Sequence, residues 1–127
     1  INQTGGASGV TRGLYINPTL TAVGTGGFNA IDITAGNVVL PKTVTAGGTT
    51  GAQTIDKVTG SVNFAAAATS LVVTNSYVTT SSIIIATVAT NDTTMKSVAV
   101  VAAAGSFTLH ADVAATAETR VNFIVIN

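Results

Sequence analysis

The sequence predicts an all-β protein in two parts: a Gly- and Thr-rich, stalk-like β segment over residues 1–60, and a small antiparallel β-sandwich head of jelly-roll type over residues 61–127. Three observations predict it. Every glycine but Gly105, and both prolines, Pro18 and Pro41, fall in residues 1–60. Beyond Gly60 the chain consists of short runs rich in Val, Ile and Thr, bounded by turn residues. Those β-branched side chains fit a pleated sheet better than a helical turn.

Glycine and proline punctuate structure, so residues 1–60 are short extended pieces joined by many turns. The strand-like pieces are 13–17, 28–33, 37–40 and 53–58. A loose Thr-Ala-Gly refrain at Thr34-Ala35-Gly36 and Thr45-Ala46-Gly47, with a variant at Thr21–Gly24, is too irregular for a solenoid of fixed period. Such a segment reads as a stalk that other copies of the chain complete.

In the head the expected strands are Ser61–Phe64, Ser70–Thr74, Tyr77–Thr80, Ser82–Thr90, Met95–Ala102, Ser106–Val113 and Thr119–Ile126. Their spacing is that of a sandwich or jelly roll. The pair Asn91-Asp92 lacks the alternating acidic ligands and closing Glu of a calcium loop, and reads as a hairpin turn. Ser106–Val113 alternates cleanly: Phe107, Leu109 and Ala111 take one face, and Ser106, Thr108, His110 and Asp112 the other, which places the strand near the outside with one wet face. By contrast Ser82–Thr90 is apolar on both faces, and Val121–Ile126 repeats that demand. A sheet this small offers one core, so the second apolar face calls for another subunit. Ile84, Ala86, Val88, Ile124 and Ile126 are the expected oligomer-interface residues.

Composition excludes several function classes. Charged residues make up 8% of the chain and the formal net charge is zero, against roughly 25% charged residues in an ordinary soluble domain. Five basic and five acidic side chains, scattered singly, create no field for a nucleic-acid backbone or an anionic bilayer. Apolar runs such as Val98–Ala104 stay far short of the ~18 residues of a membrane span, so no membrane insertion is expected. Without cysteine there are no disulfides, thiolates or Cys-based zinc sites. The chain begins at Ile1 and reads as a fragment or processed product that lacks its native N-terminus.

The inventory for catalysis is thin. His110 is the single histidine, and Asp112 lies two residues away on the same strand face, about 7 Å off. Two ligands do not make a zinc site, and the pair reads as an exposed His and Asp on a wet, edge-strand face. Ser106 is four strand residues from His110, about 13 Å and beyond a Ser-His-Asp geometry, and no G-x-S-x-G elbow occurs. The stretches Gly24–Gly27 and Gly47–Gly51 lack the Lys-Ser/Thr ending of a phosphate loop. No catalytic residue, metal site or cofactor is therefore expected. Tyr15 and Tyr77 are the better surface aromatics, and Tyr77, His110 and Asp112 are the candidate ligand-contacting residues of the surface.

Two stretches carry a family resemblance. Residues Gln3–Ala22, QTGGASGVTRGLYINPTLTA, resemble a segment of tail-fibre and other fibre proteins of bacteriophages, notably those infecting Bacteroidetes bacteria. The stretch Val73–Asn127, with Ser82-Ile83-Ile84, Thr90-Asn91-Asp92, Lys96-Ser97-Val98 and Ala103–Thr108, is similar to a terminal domain of such proteins. From Gly26-Gly27-Phe28 to residue 60 the chain departs from the stalk pattern. The resemblance implies a homotrimeric virion fibre whose small β head attaches to a host cell-surface glycan or protein and whose shaft joins other virion proteins. A subunit of a bacterial extracellular filament or adhesin is the alternative, and an ice-binding role lacks the regular Thr-x-Thr ladder it would need.

Overall fold

A computed structural model of the protein describes residues 37–127. The strand-like pieces expected at 13–17 and 28–33, Tyr15 and the fibre-like stretch 3–22 lie outside the described residues. Val39–Asn127 form one compact unit. Its strands are β1 (Lys42–Val44), β2 (Gln53–Thr54), β3 (Thr59–Phe64), β4 (Ser70–Thr74), β5 (Ile83–Val88), β6 (Val98–Ala103), β7 (Ser106–Ala111) and β8 (Thr119–Ile126). There is no helix among the described residues.

The strands form two four-stranded sheets, ordered β1-β3-β8-β5 and β2-β4-β7-β6. In each sheet the two-to-three-residue strand at one edge runs parallel to its neighbour and the remaining pairs are antiparallel. The sheets are therefore mixed, where the sequence predicted antiparallel pairing throughout. The core lies between them. Period-two alternation sends Leu71 and Val73 of β4, Phe107 and Leu109 of β7, Val62 and Phe64 of β3, and Val121, Phe123 and Val125 of β8 inward, where all are buried. Ile55, Val78, Met95 and Ala115 plug the core from the connections.

Phe107 and Phe123 join the sheets through an edge-to-face contact, with ring centroids 5.0 Å apart and planes at 67°. That geometry sets the positive edge of one ring against the negative face of the other and adds about 0.5–1.5 kcal/mol to their burial. Opposite Phe123 in β3 stands Gly60. A Cβ there would meet the Phe123 ring at 2.8 Å and the Thr43 carbonyl oxygen at 2.9 Å. The missing side chain is thus the space that the Phe123 ring occupies.

The sandwich begins well before the boundary expected at Gly60. Ile55 is 3% exposed and belongs to the core, and two buried asparagines hold the connections that precede β3. Asn63 donates to the carbonyls of Ala46 (2.9 Å) and Thr49 (3.1 Å), and Asn75 donates to that of Lys57 (2.8 Å). Glycine clustering in 47–60 marks turns and one tight packing site within the sandwich, so it does not mark a stalk there. Other differences have equally local causes. Tyr77–Thr80 is a turn, because Asn75 accepts from the Tyr77 N–H (2.9 Å) and Ser82 accepts from the Thr79 N–H (2.8 Å), which draws the backbone away from a ladder. Asn91-Asp92 does not close a hairpin, since β5 and β6 belong to different sheets. β7 keeps its one wet face but lies between β4 and β6, so it is an interior strand.

Gly60→Ala is expected to destabilise the chain by about 1–3 kcal/mol through overpacking against Phe123, as read by urea denaturation. Gly105, which turns β6 into β7 at φ 74° with no atom near its absent Cβ, should lose about 1–2 kcal/mol as Ala through backbone strain alone. A neutral Gly60→Ala variant would contradict the packing described.

Candidate functional site

The polar organisation of the sandwich centres on Asp92, in the connection from β5 to β6. Asp92 is buried. Its Oδ1 accepts from the backbone N–H groups of Thr94 and Met95, both at 2.9 Å. Its Oδ2 accepts from the N–H groups of Thr116 (3.0 Å) and Ala117 (3.1 Å) and from the Thr119 hydroxyl (3.1 Å). One carboxylate thereby ties the β5–β6 connection to the β7–β8 connection. The Thr94 hydroxyl adds a second tie by donating to the Ala114 carbonyl at 2.6 Å. The Met95 N–H foremost, with those of Thr94, Thr116 and Ala117, holds the Asp92 carboxyl far below the usual carboxylate range and outweighs the opposing effect of desolvation. An acid with both oxygens saturated in this way is a clamp, with no lone pair directed at a metal or a substrate proton.

Beside the clamp lies an open depression of about 340 Å³, walled by Val88, Ala89, Thr90, Asn91, Met95 and Lys96. Met95 is fully buried. The Lys96 ammonium donates to Asn91 Oδ1 at 3.3 Å and to the Asp92 carbonyl, so this cation braces the rim from within.

The candidate receptor-contacting residues do not converge. Tyr77 is half exposed in the turn after β4, near the β6–β7 hairpin: the Val78 carbonyl accepts from the Gly105 N–H at 2.9 Å, and Asn127 donates to the Tyr77 carbonyl at 2.8 Å. His110 is exposed on the outer face of the second sheet, between Ser70 and Ala99, toward the opposite end of β7. Asp112 lies past the end of β7, and its Oδ1 accepts from the N–H groups of Lys96 (3.1 Å) and Ser97 (3.2 Å). The Ser97 N–H foremost lowers its carboxyl below the ordinary range. Asp112 therefore fastens the start of β6, as Asp92 fastens the loop before it. No group of three His, Cys, Asp or Glu side chains suited to a metal occurs among the described residues, and no helix there is long and apolar enough to cross a membrane.

The expected oligomer-interface residues divide between two faces. Ile84, Ala86 and Val88 turn inward and pack against the core. Ile124 and Ile126 face outward, directly opposite Ile85 and Ile83 of β5. Ile83 is 63% exposed, Ile85 57% and Ile126 45%, with Ile124 half-buried among them. The sequence carried the signal for this face, a strand apolar on both sides, but only the pairing of β5 with β8 assigns Ile83 and Ile85 to the outer one.

Comparison with protein-family models, with curated proteins and with solved structures finds no match to this chain.

The carboxylate clamps set an acid limit. A depressed pKa in the fold contributes stability that is complete well above the unfolded-chain value, here 3.8 for each aspartate, and is lost as the pH falls from there toward the folded-state value. Thermal unfolding followed from pH 7 to pH 2 should be flat at first and then fall steeply in acid. Asp92→Asn, whose amide must set N–H against the Thr116 and Ala117 N–H groups if it keeps its other bonds, should be less stable at pH 7 and show a shallower acid decline. An unchanged acid profile in that variant would contradict the clamp.

Proposed function

We propose that this chain is a structural, self-associating β-sandwich module, the receptor-binding tip of a bacteriophage fibre. Its apolar outer face joins copies of the chain into a homotrimer, and its Thr-, Ser- and Asn-rich remainder meets a host cell-surface glycan or protein. The observation that carries this reading is the uncharged face of Ile83, Ile85, Ile124 and Ile126, which a solitary sandwich leaves in water. Roughly half of each side chain is already covered within the sandwich, so burying the rest in an assembly contributes about 0.8–1.5 kcal/mol per residue. The likeness of residues 3–22 and 73–127 to fibre proteins of Bacteroidetes phages supports the same assignment. The module acts in the virion, outside the cell, with other virion proteins at its other end.

Scattered polar contacts such as Tyr77 and His110 are each weak, and repetition around a three-fold axis multiplies them. Fluorescently labelled full chain should bind saturably to cells within a panel of Bacteroidetes strains. The Ile83→Lys/Ile85→Lys variant, which introduces repelling charges on the shared face, should bind about a hundredfold more weakly because avidity is lost. Equal cell binding by the variant and the parent chain would overturn the assembly-dependent mechanism, and no binding to any strain would overturn the attachment role in favour of a purely structural filament subunit.

A further inference from the structure

At the edge of the first sheet β1 pairs Lys42 with Thr59 and Val44 with Ser61, and Ser61 in turn stands opposite Asn122 of β8. Period-two alternation places all five on one face. They surround a cavity of about 240 Å³, which Gly60 and Phe123 complete. Ser61 is only 2% exposed, yet its Oγ has no hydrogen-bond partner, the one buried side-chain polar atom so placed among the described residues. A buried hydroxyl left unpaired costs stability, and folded proteins keep one where something else completes the bond.

The neighbours define what that partner is. The Thr59 hydroxyl is already committed to the Pro41 carbonyl at 3.0 Å. The side chains that remain to meet an occupant are those of Lys42, Ser61, Asn122 and Val44, which offer an ammonium, a hydroxyl, an amide and a branched apolar group. One cation matches a single negative charge, the hydroxyl and amide both donate and accept, and Val44 suits a C–H surface. The volume is that of a single sugar ring and smaller than the clefts that hold drug-sized ligands.

We propose that this cavity binds one acidic sugar residue, with its carboxylate on Lys42, its hydroxyls on Ser61 and Asn122, and its C–H face on Val44. The site deepens the attachment role by naming the class of ligand, and it takes its biological setting from that reading.

The test is an NMR titration of the isotope-labelled full chain with glucuronate, and with glucose and acetate as controls. Glucuronate should give saturable shifts at Lys42, Ser61 and Asn122, with an affinity at least about tenfold above either control. Lys42→Met, which keeps the stem and removes the charge, should lose about tenfold in glucuronate affinity. Ser61→Ala should weaken binding while leaving the melting temperature equal or higher, because it deletes an unsatisfied buried hydroxyl. Non-saturable shifts, equal response to glucose and glucuronate, or a Ser61→Ala variant that melts lower and binds normally would each overturn the site. The titration contains no cells, so its failure is distinct from a failure of cell attachment.

Discussion

The orientation of Phe123 is the constraint on which the remaining structure depends. Its ring reaches across the sandwich to Phe107 and presses onto Gly60 within its own sheet. Side chains alternate along a strand, so turning Phe123 inward also turns Val121 and Val125 inward and Ile124 and Ile126 outward. The β5 register accompanies it, with Ile85 opposite Ile124 and Ile83 opposite Ile126. One aromatic contact in the core thus fixes the composition of the outer surface. A slip of one residue in β8 would bury Arg120 and Asn122 in place of Val121 and Phe123, a cost no small core could offset.

Scarcity of charge has a structural meaning in such a small sandwich. With five acidic residues in the whole chain, three aspartates are each used to hold backbone N–H groups: Asp56 accepts from Ser76, Asp92 from the residues around it, and Asp112 from Lys96 and Ser97. These are loop clamps, and they hold the connections between the sheets where the described residues contain no helix and the chain no cysteine for a disulfide. Asn63 and Asn75 perform the same task without charge. The polar residues that remain outside, mostly Thr, Ser and Asn, form a surface suited to many modest hydrogen bonds.

Much of this architecture was legible in the sequence where a physical signal is local. The alternation of Phe107, Leu109 and Ala111 with Thr108 and His110 locates β7 and its wet face, and the runs at Ser70–Thr74 and Thr119–Ile126 coincide with β4 and β8. Non-local facts were not legible. β1 and β2 are three and two residues long and exist only because β3 and β4 pair with them in parallel, which no short window of sequence encodes. For β5, apolar on both sides, periodicity identifies a doubly apolar strand but cannot say which face meets the core, so Ile84, Ala86 and Val88 exchange roles with Ile83 and Ile85. Asp92 reads locally as a turn residue because three of its donors lie more than twenty residues away. Lys42, Ser61 and Asn122 are brought together only by sheet order.

The proposed seam between copies of the chain is the isoleucine face. Sedimentation equilibrium of the purified full chain measures it directly, because the mass it reports does not depend on shape. A trimeric seam requires a species of three times the 12.5 kDa chain mass, converted to monomer when Ile85 is replaced by Lys. A parent chain that sediments as a 12.5 kDa monomer at micromolar concentration would contradict it.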